Sequence, residues 1–203
     1  MLYGLWLAAE LASAPHTSWL EQRDVAHRLS AGEVVMRSAL DERDSHARVQ
    51  AAVRIRASPE RVWQVLDDCA DAPRFIPGLK RCRRIAAAAD GSWEIIEHEF
   101  KYSWLMPTVH SVFRMQNSRP ERMEFRRIAG DLRDEQGAWR LIGSSDGSST
   151  TVEYEVEIDP GFWIPTALVR HTLRRELPAA LIGLRQRAEG SQPSAAALLE
   201  HSP

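Results

Sequence analysis

The feature that most constrains this chain is a change of hydrophobic period around Asp159. Before it, short runs alternate apolar and polar residues. Thr150 to Ile158 is the cleanest: Val152, Tyr154, Val156 and Ile158 share one face, Thr151, Glu153, Glu155 and Glu157 the other. Period two marks a strand with one buried face, and the acidic face is the wet one. After Asp159-Pro160-Gly161 the period turns helical. Val169, Leu173, Leu177, Ala180, Leu184 and Ala188 form a stripe from about Pro165 to Glu189. Pro178 lies inside that stripe and predicts a kink.

The upstream runs extend the pattern. Val49, Ala51, Val53 and Ile55 alternate with Gln50, Ala52, Arg54 and Arg56. Ser58-Pro59-Glu60 then starts a helix: serine caps, proline suits the first turn and the acid suits the positive helix end. Val62, Val65, Leu66 and Cys69 recur at helical spacing, and Phe75-Ile76-Pro77-Gly78-Leu79 is an apolar loop. Strands are expected over Trp93 to Tyr102, Val109 to Met115, around Met123 to Arg127, over Gly137 to Leu141, and over Thr150 to Ile158. Nearer the start, Ser18-Trp19-Leu20-Glu21 has capping-box spacing and predicts a helix to about Leu29. A short strand over Glu33 to Arg37 and a solvated turn at Asp41 to Asp44 follow. The organisation expected is an N-terminal extension over 1–44, one domain over 45–189 and a mobile Ser/Ala/Pro-rich tail over 190–203.

Such an order gives an α+β domain. A long antiparallel meander twists and curls. Its concave face needs a cover, and the last helix is the apolar element available. A curled sheet and one helix interdigitate incompletely, so side chains or a ligand must fill the gap. The rings and wide aliphatics aimed there are Trp63, Phe75, Ile76, Ile96, His98, Phe100, Phe113, Phe125, Trp139, Tyr154, Phe162 and Trp163, with Leu173 from the helix. Each alone reads as ordinary core; together they suggest a pocket. Seven tryptophans exceed what a core of this size needs.

Four blocks in this order resemble those of a START-like (SRPBCC) helix-grip domain, in the polyketide cyclase/dehydrase and coenzyme Q-binding branch. They are Ala57-Ser58-Pro59-Glu60-Arg61-Val62-Trp63-Gln64-Val65-Leu66-Asp67-Asp68, Phe75-Ile76-Pro77-Gly78-Leu79, Gly130-Asp131-Leu132 through Gly137-Ala138-Trp139-Arg140-Leu141, and Asp159-Pro160-Gly161-Phe162-Trp163-Ile164-Pro165. The resemblance spans about Arg48 to Glu189. It implies a curved sheet wrapped around a long C-terminal helix and an apolar small molecule between them, a lipid, quinone or polyketide-like compound. Cyclases, dehydratases and hydrolases share the fold, so the fold does not choose among them.

Catalytic signals are sparse. There is no HExxH, GxGxxG or phosphate-binding loop. His98 falls on an apolar strand face, where it reads as a general base, as an orienter of a ligand carbonyl, or as a core histidine held by hydrogen bonds. Arg127 shares a face with Met123 and Phe125 and is a cation for an anionic head group at the pocket mouth, or a plain edge arginine. Glu97 and Glu99 alternate outward. No catalytic residue, metal or cofactor is assigned, which points to a binder rather than an enzyme. A net charge of −2 argues against nucleic acid as a partner. Arg170, His171, Arg174 and Arg175 form a basic patch for peripheral membrane contact or a solvated helix face.

Two cysteines, Cys69 and Cys82, flank the apolar loop. The first ends the early helix and the second opens the next strand, so a disulfide could join the ends of the loop. Two reduced thiols are the alternative. The apolar run Leu2 to Ala9 and the small-residue site Ala12-Ser13-Ala14 resemble a signal peptide, though no basic residue precedes the run and Glu10 interrupts it. Export is favoured slightly over an N-terminal helix lying on the domain.

Overall fold

The alternating runs become eight strands of one antiparallel sheet. The computed structural model describes residues 19–40, 47–101, 107–159, 161 and 166–190, without the side chains of 39–40 and 166–173. The strands are β1 (Val35–Leu40), β2 (Ala47–Ile55), β3 (Leu79–Ala87), β4 (Trp93–Phe100), β5 (Val109–Ser118), β6 (Arg122–Gly130), β7 (Asp134–Gly143) and β8 (Thr150–Asp159). Their order is β1-β2-β8-β7-β6-β5-β4-β3, so β1 and β3 are free edges and the curved sheet does not close. Three α-helices join them: α1 (Arg23–Ser30), α2 (Pro59–Asp67) and α3 (Thr166–Gly190). This is the α+β architecture the periodicity implied, in the helix-grip form the resemblance implied.

α2 starts where its sequence says it should. Ser58 caps it, accepting from the Arg61 amide at 3.3 Å, and Pro59 occupies the first turn. α1 starts later than the capping-box spacing suggested: its N-cap is Gln22, without a side-chain cap. Trp19 instead sits in a 3₁₀ turn, and its indole donates to Glu153 Oε1 at 2.5 Å on the outer face of the sheet. Trp19, Val25 and Leu29 bury against Val35 and Ala52, forming a small second core there. β1 pairs with β2 from Val35↔Ala52 to Leu40↔Ala47, which adds the N-terminal segment to the sheet.

The main core lies on the concave face. Val49, Ala51, Val53 and Ile55 of β2 meet Val152 and Val156 of β8, Val62, Trp63 and Val65 of α2, and Leu177, Leu181 and Leu184 of α3. α3 packs chiefly on β2 and α2 and runs through Pro178 without a break in its helical assignment. It therefore leans to one side of the sheet.

The edge strand β3 was expected only as the strand that Cys82 opens, without a period-two run of its own. Its outward positions carry Lys80, Arg81, Arg83 and Arg84, so no apolar alternation announces it. Leu79 and Cys82 turn inward onto the core. Ser18, Asp41 to Asp44, Tyr102, the 1–18 apolar run and the 191–203 tail lie outside the described residues.

Candidate functional site

Where α3 leans away, the sheet is left uncovered. A cavity of about 250 Å³ opens between Glu176, Leu177 and Ala180 of α3 and the inner faces of β3 to β8. A continuous run of rings forms its floor. His98 meets Phe113 edge-on at 5.5 Å, Phe113 meets Phe125 at 5.6 Å, Phe125 stacks on Tyr154 at 6.1 Å, and Tyr154 meets Trp139 at 4.2 Å. Strand pleating puts these side chains on one face, and register aligns them across five strands. Gly137 lets the floor close up: a Cβ there would come within 2.5 Å of the Phe125 ring.

The loop after α2 forms one wall, with Ala72, Phe75, Ile76 and Pro77. It is held on three sides. Phe75 backbone lies so close to α3 that a Cβ on Gly183 would meet it at 2.9 Å. Arg187 of α3 pairs with Asp71 at 2.8 Å. Cys69 and Cys82 are joined, with Cα atoms 5.3 Å apart, tying the loop to β3. Both cysteines also face the cavity.

Nine of the residues singled out from the sequence come together here: Phe75, Ile76, Ile96, His98, Phe100, Phe113, Phe125, Trp139 and Tyr154. Trp63 does not. It faces the packed side of the sheet, is 2% exposed, and carries Arg119 over its ring at 5.4 Å. It was expected among the pocket rings as a broad ring, but it lies on α2, which covers the packed half. Phe162, Trp163 and the Leu173 side chain lie outside the described residues. Arg127 is absent from the lining. Its guanidinium donates to the carbonyls of Gly130 at 2.5 Å and Arg133 at 3.2 Å, so it does not serve as the cation at the mouth. His110 and Arg114 face outward, Arg114 over Trp93.

The polar groups in the cavity are few. His98 points inward and makes no protein hydrogen bond through its ring among the described residues; its contacts are Phe100 and Phe113. Burial pushes its pKa down to about 4, so the ring is neutral and offers one donor and one acceptor. Glu135, which the sequence reading passed over, also lines the cavity. Burial pushes its carboxyl up to about 7, against the opposing pull of a Ser111 hydrogen bond and the nearby Arg127 charge. Ser111 Oγ donates to Glu135 Oε2 at 3.4 Å. Parity was the missed signal: Glu135, Gly137 and Trp139 share a strand face, but the strand was expected only from Gly137. No group of three or more His, Cys, Asp or Glu is placed to hold a metal among the described residues.

Residues 55–185 match the model of a family described as polyketide cyclase / dehydrase and lipid transport. The chain belongs to that family. The START-like resemblance is borne out by solved structures as well. A STAR-related lipid transfer protein fragment from Xanthomonas axonopodis superimposes with TM-score 0.67 at 15% identity, over 76% of this chain and 93% of that one. The Zhui aromatase/cyclase from Streptomyces sp. R1128 gives 0.62 at 15%, over 74% and 98%. Human STARD10 gives 0.62 at 12%, over 83% and 74%. No curated protein matches in sequence. At these identities the likeness is one of fold. The lipid transfer protein and the aromatase/cyclase share this fold, so the fold alone does not choose between those roles.

Proposed function

We propose that this family member binds or carries a hydrophobic small molecule, of lipid, quinone or polyketide-like class, in the cavity beneath α3. One observation carries the reading: a continuous aromatic floor faces a mostly apolar cavity beside α3. Burying apolar ligand surface there is favourable by about 25 cal/mol per Å². The test is extraction and mass identification of compounds bound to protein purified from its host, with uptake by stripped protein as the second arm. The expected result is an apolar compound near one per chain. Protein that neither carries nor takes up any apolar compound overturns the reading.

A second reading, a cyclase, dehydratase or hydrolase, is favoured by His98 and Glu135. A neutral imidazole and a carboxyl with a pKa near neutrality on one cavity are suited to proton transfer. Both ring nitrogens remain available to a substrate. Turnover of a linear poly-β-ketone by the wild type, lost in both His98→Phe and Glu135→Leu, would support it. Tight binding without turnover leaves carriage as the function.

A further inference from the structure

We propose that Glu135, with Ser111 and His98, forms the polar subsite of the cavity and selects uncharged ligands bearing a carbonyl or hydroxyl oxygen over ligands bearing a carboxylate. The inference rests on the cavity-binding reading and names its ligand class.

The three groups occupy one band across the sheet. His98 of β4 lies opposite Ser111 of β5. Ser111 reaches Glu135 of β7 through its 3.4 Å hydrogen bond. The surrounding lining is mostly apolar, so a ligand oxygen finds its partners at this band.

Charge then sets the class. The described lining carries two carboxyl groups, Glu135 and Glu176, and no lysine or arginine. The groups facing Glu135 are Ser111 from β5, Arg127 from β6, Asp134 on its own strand and Glu176 from α3, while β8 presents Ile158 opposite it. Arg127 is the one cation among these; it stands outside the lining, with two nitrogens bonded to the Gly130 and Arg133 carbonyls and its buried Nε without a protein partner among the described residues. A ligand carboxylate would leave water and meet no lysine or arginine in the described lining. Burying an unpaired charge is strongly unfavourable. A neutral carbonyl, in contrast, accepts from the Glu135 carboxyl or the His98 ring, and a hydroxyl can do both. Burial keeps the Glu135 proton in place up to about pH 7, so the donor is present under ordinary conditions.

The test uses three probes of one shape: methylnaphthalene, acetonaphthone and naphthoate. Binding is measured by calorimetry at about pH 6, where Glu135 is protonated and naphthoate ionised. Acetonaphthone is expected to bind at least ~10-fold tighter than naphthoate. Glu135→Leu should shrink the advantage of acetonaphthone over methylnaphthalene to within ~2-fold, and Glu135→Gln should restore the advantage because its amide donates. Thermal melting checks that both variants fold. Equal affinity for acetonaphthone and naphthoate, with methylnaphthalene bound, overturns this inference alone. Failure of all three probes to bind overturns the cavity-binding reading and this inference with it.

Discussion

The two halves of the concave face are both largely apolar but end differently. On the side of β2, β8 and α2, small and branched side chains (Ala51, Val53, Val152, Val156) let α3 come close, and Leu181 and Leu184 fill what remains. On the side of β3 to β6, rings and long side chains (His98, Phe100, Phe113, Met115) hold the space open, and α3 stays away. Hydrophobicity is alike on both sides; side-chain width and the lean of one helix decide which becomes core and which becomes cavity.

Truncation should expose that difference most strongly. Leu181 is 0% exposed in the filled half, so Leu181→Ala should cost about 3–5 kcal/mol. Met115 already borders the void, and Met115→Ala should cost about half as much or less, because it enlarges a space rather than creating one. Urea unfolding of the two variants measures both. Equal losses would mean that the hollow half is as tightly packed as the filled one.

The loop between the halves is next. Loss of the Cys69–Cys82 bond, by reduction or by Cys69→Ser with Cys82→Ser, should cost roughly 2–4 kcal/mol from closure of the 13-residue separation. It should also speed ligand release, since Phe75, Ile76 and Pro77 would keep their hold on α3 but lose their tie to β3. Titration of denatured, nonreduced protein should find no free thiol; two reactive thiols would refute the bond. Gly183→Ala probes the other tie. Its Cβ would press on Phe75 backbone, which cannot swing aside like a side chain tip, so a loss of about 1–3 kcal/mol is expected. A neutral Gly183→Ala would show that the loop is free to shift.

The sequence carried much of this layout and missed specific parts for physical reasons. Period-two runs announced β2, β4, β5 and β8 because apolar residues recur along the inner face of each; the acidic face of β8 is not wholly wet, for Glu153 is buried beneath Trp19. β3 was announced only by Cys82 following the apolar loop, with no alternation of its own, because its exposed positions carry charge. Seven of the nine cavity residues were legible from their place on strands, since a ring on the inner face of a curled sheet must either pack or line a space; Phe75 and Ile76 came from the apolar loop. Trp63 shows the limit: periodicity says that a residue is buried, but only the lean of α3 says in which half. Glu135 was hidden by a strand boundary. An acid at a strand end reads as the beginning of water, and β7 in fact carries its inward face two residues further, into the cavity.

Charge in the hollow half gives the smallest effect and the sharpest sign. The Glu135 carboxyl titrates at about 7 in the fold against an ordinary 4.5. A raised carboxyl pKa means that the folded state holds the proton more tightly, so its contribution is fully present below about pH 4.5 and is lost as pH rises through about 7. Glu135→Gln cannot ionise. Its melting temperature relative to wild type should therefore climb by a few degrees from about pH 5 to about pH 8. His98 runs the other way: with its pKa depressed to about 4 from 6.5, its contribution is present above 6.5 and lost as pH falls through 4. His98→Phe should flatten the acid limb and leave the alkaline limb alone. Between those limits the cavity carries no charge on either group, the condition under which an apolar ligand fits it best. Two variants with wild-type pH profiles would place both side chains in water, and the hollow half would then be a surface groove rather than an interior.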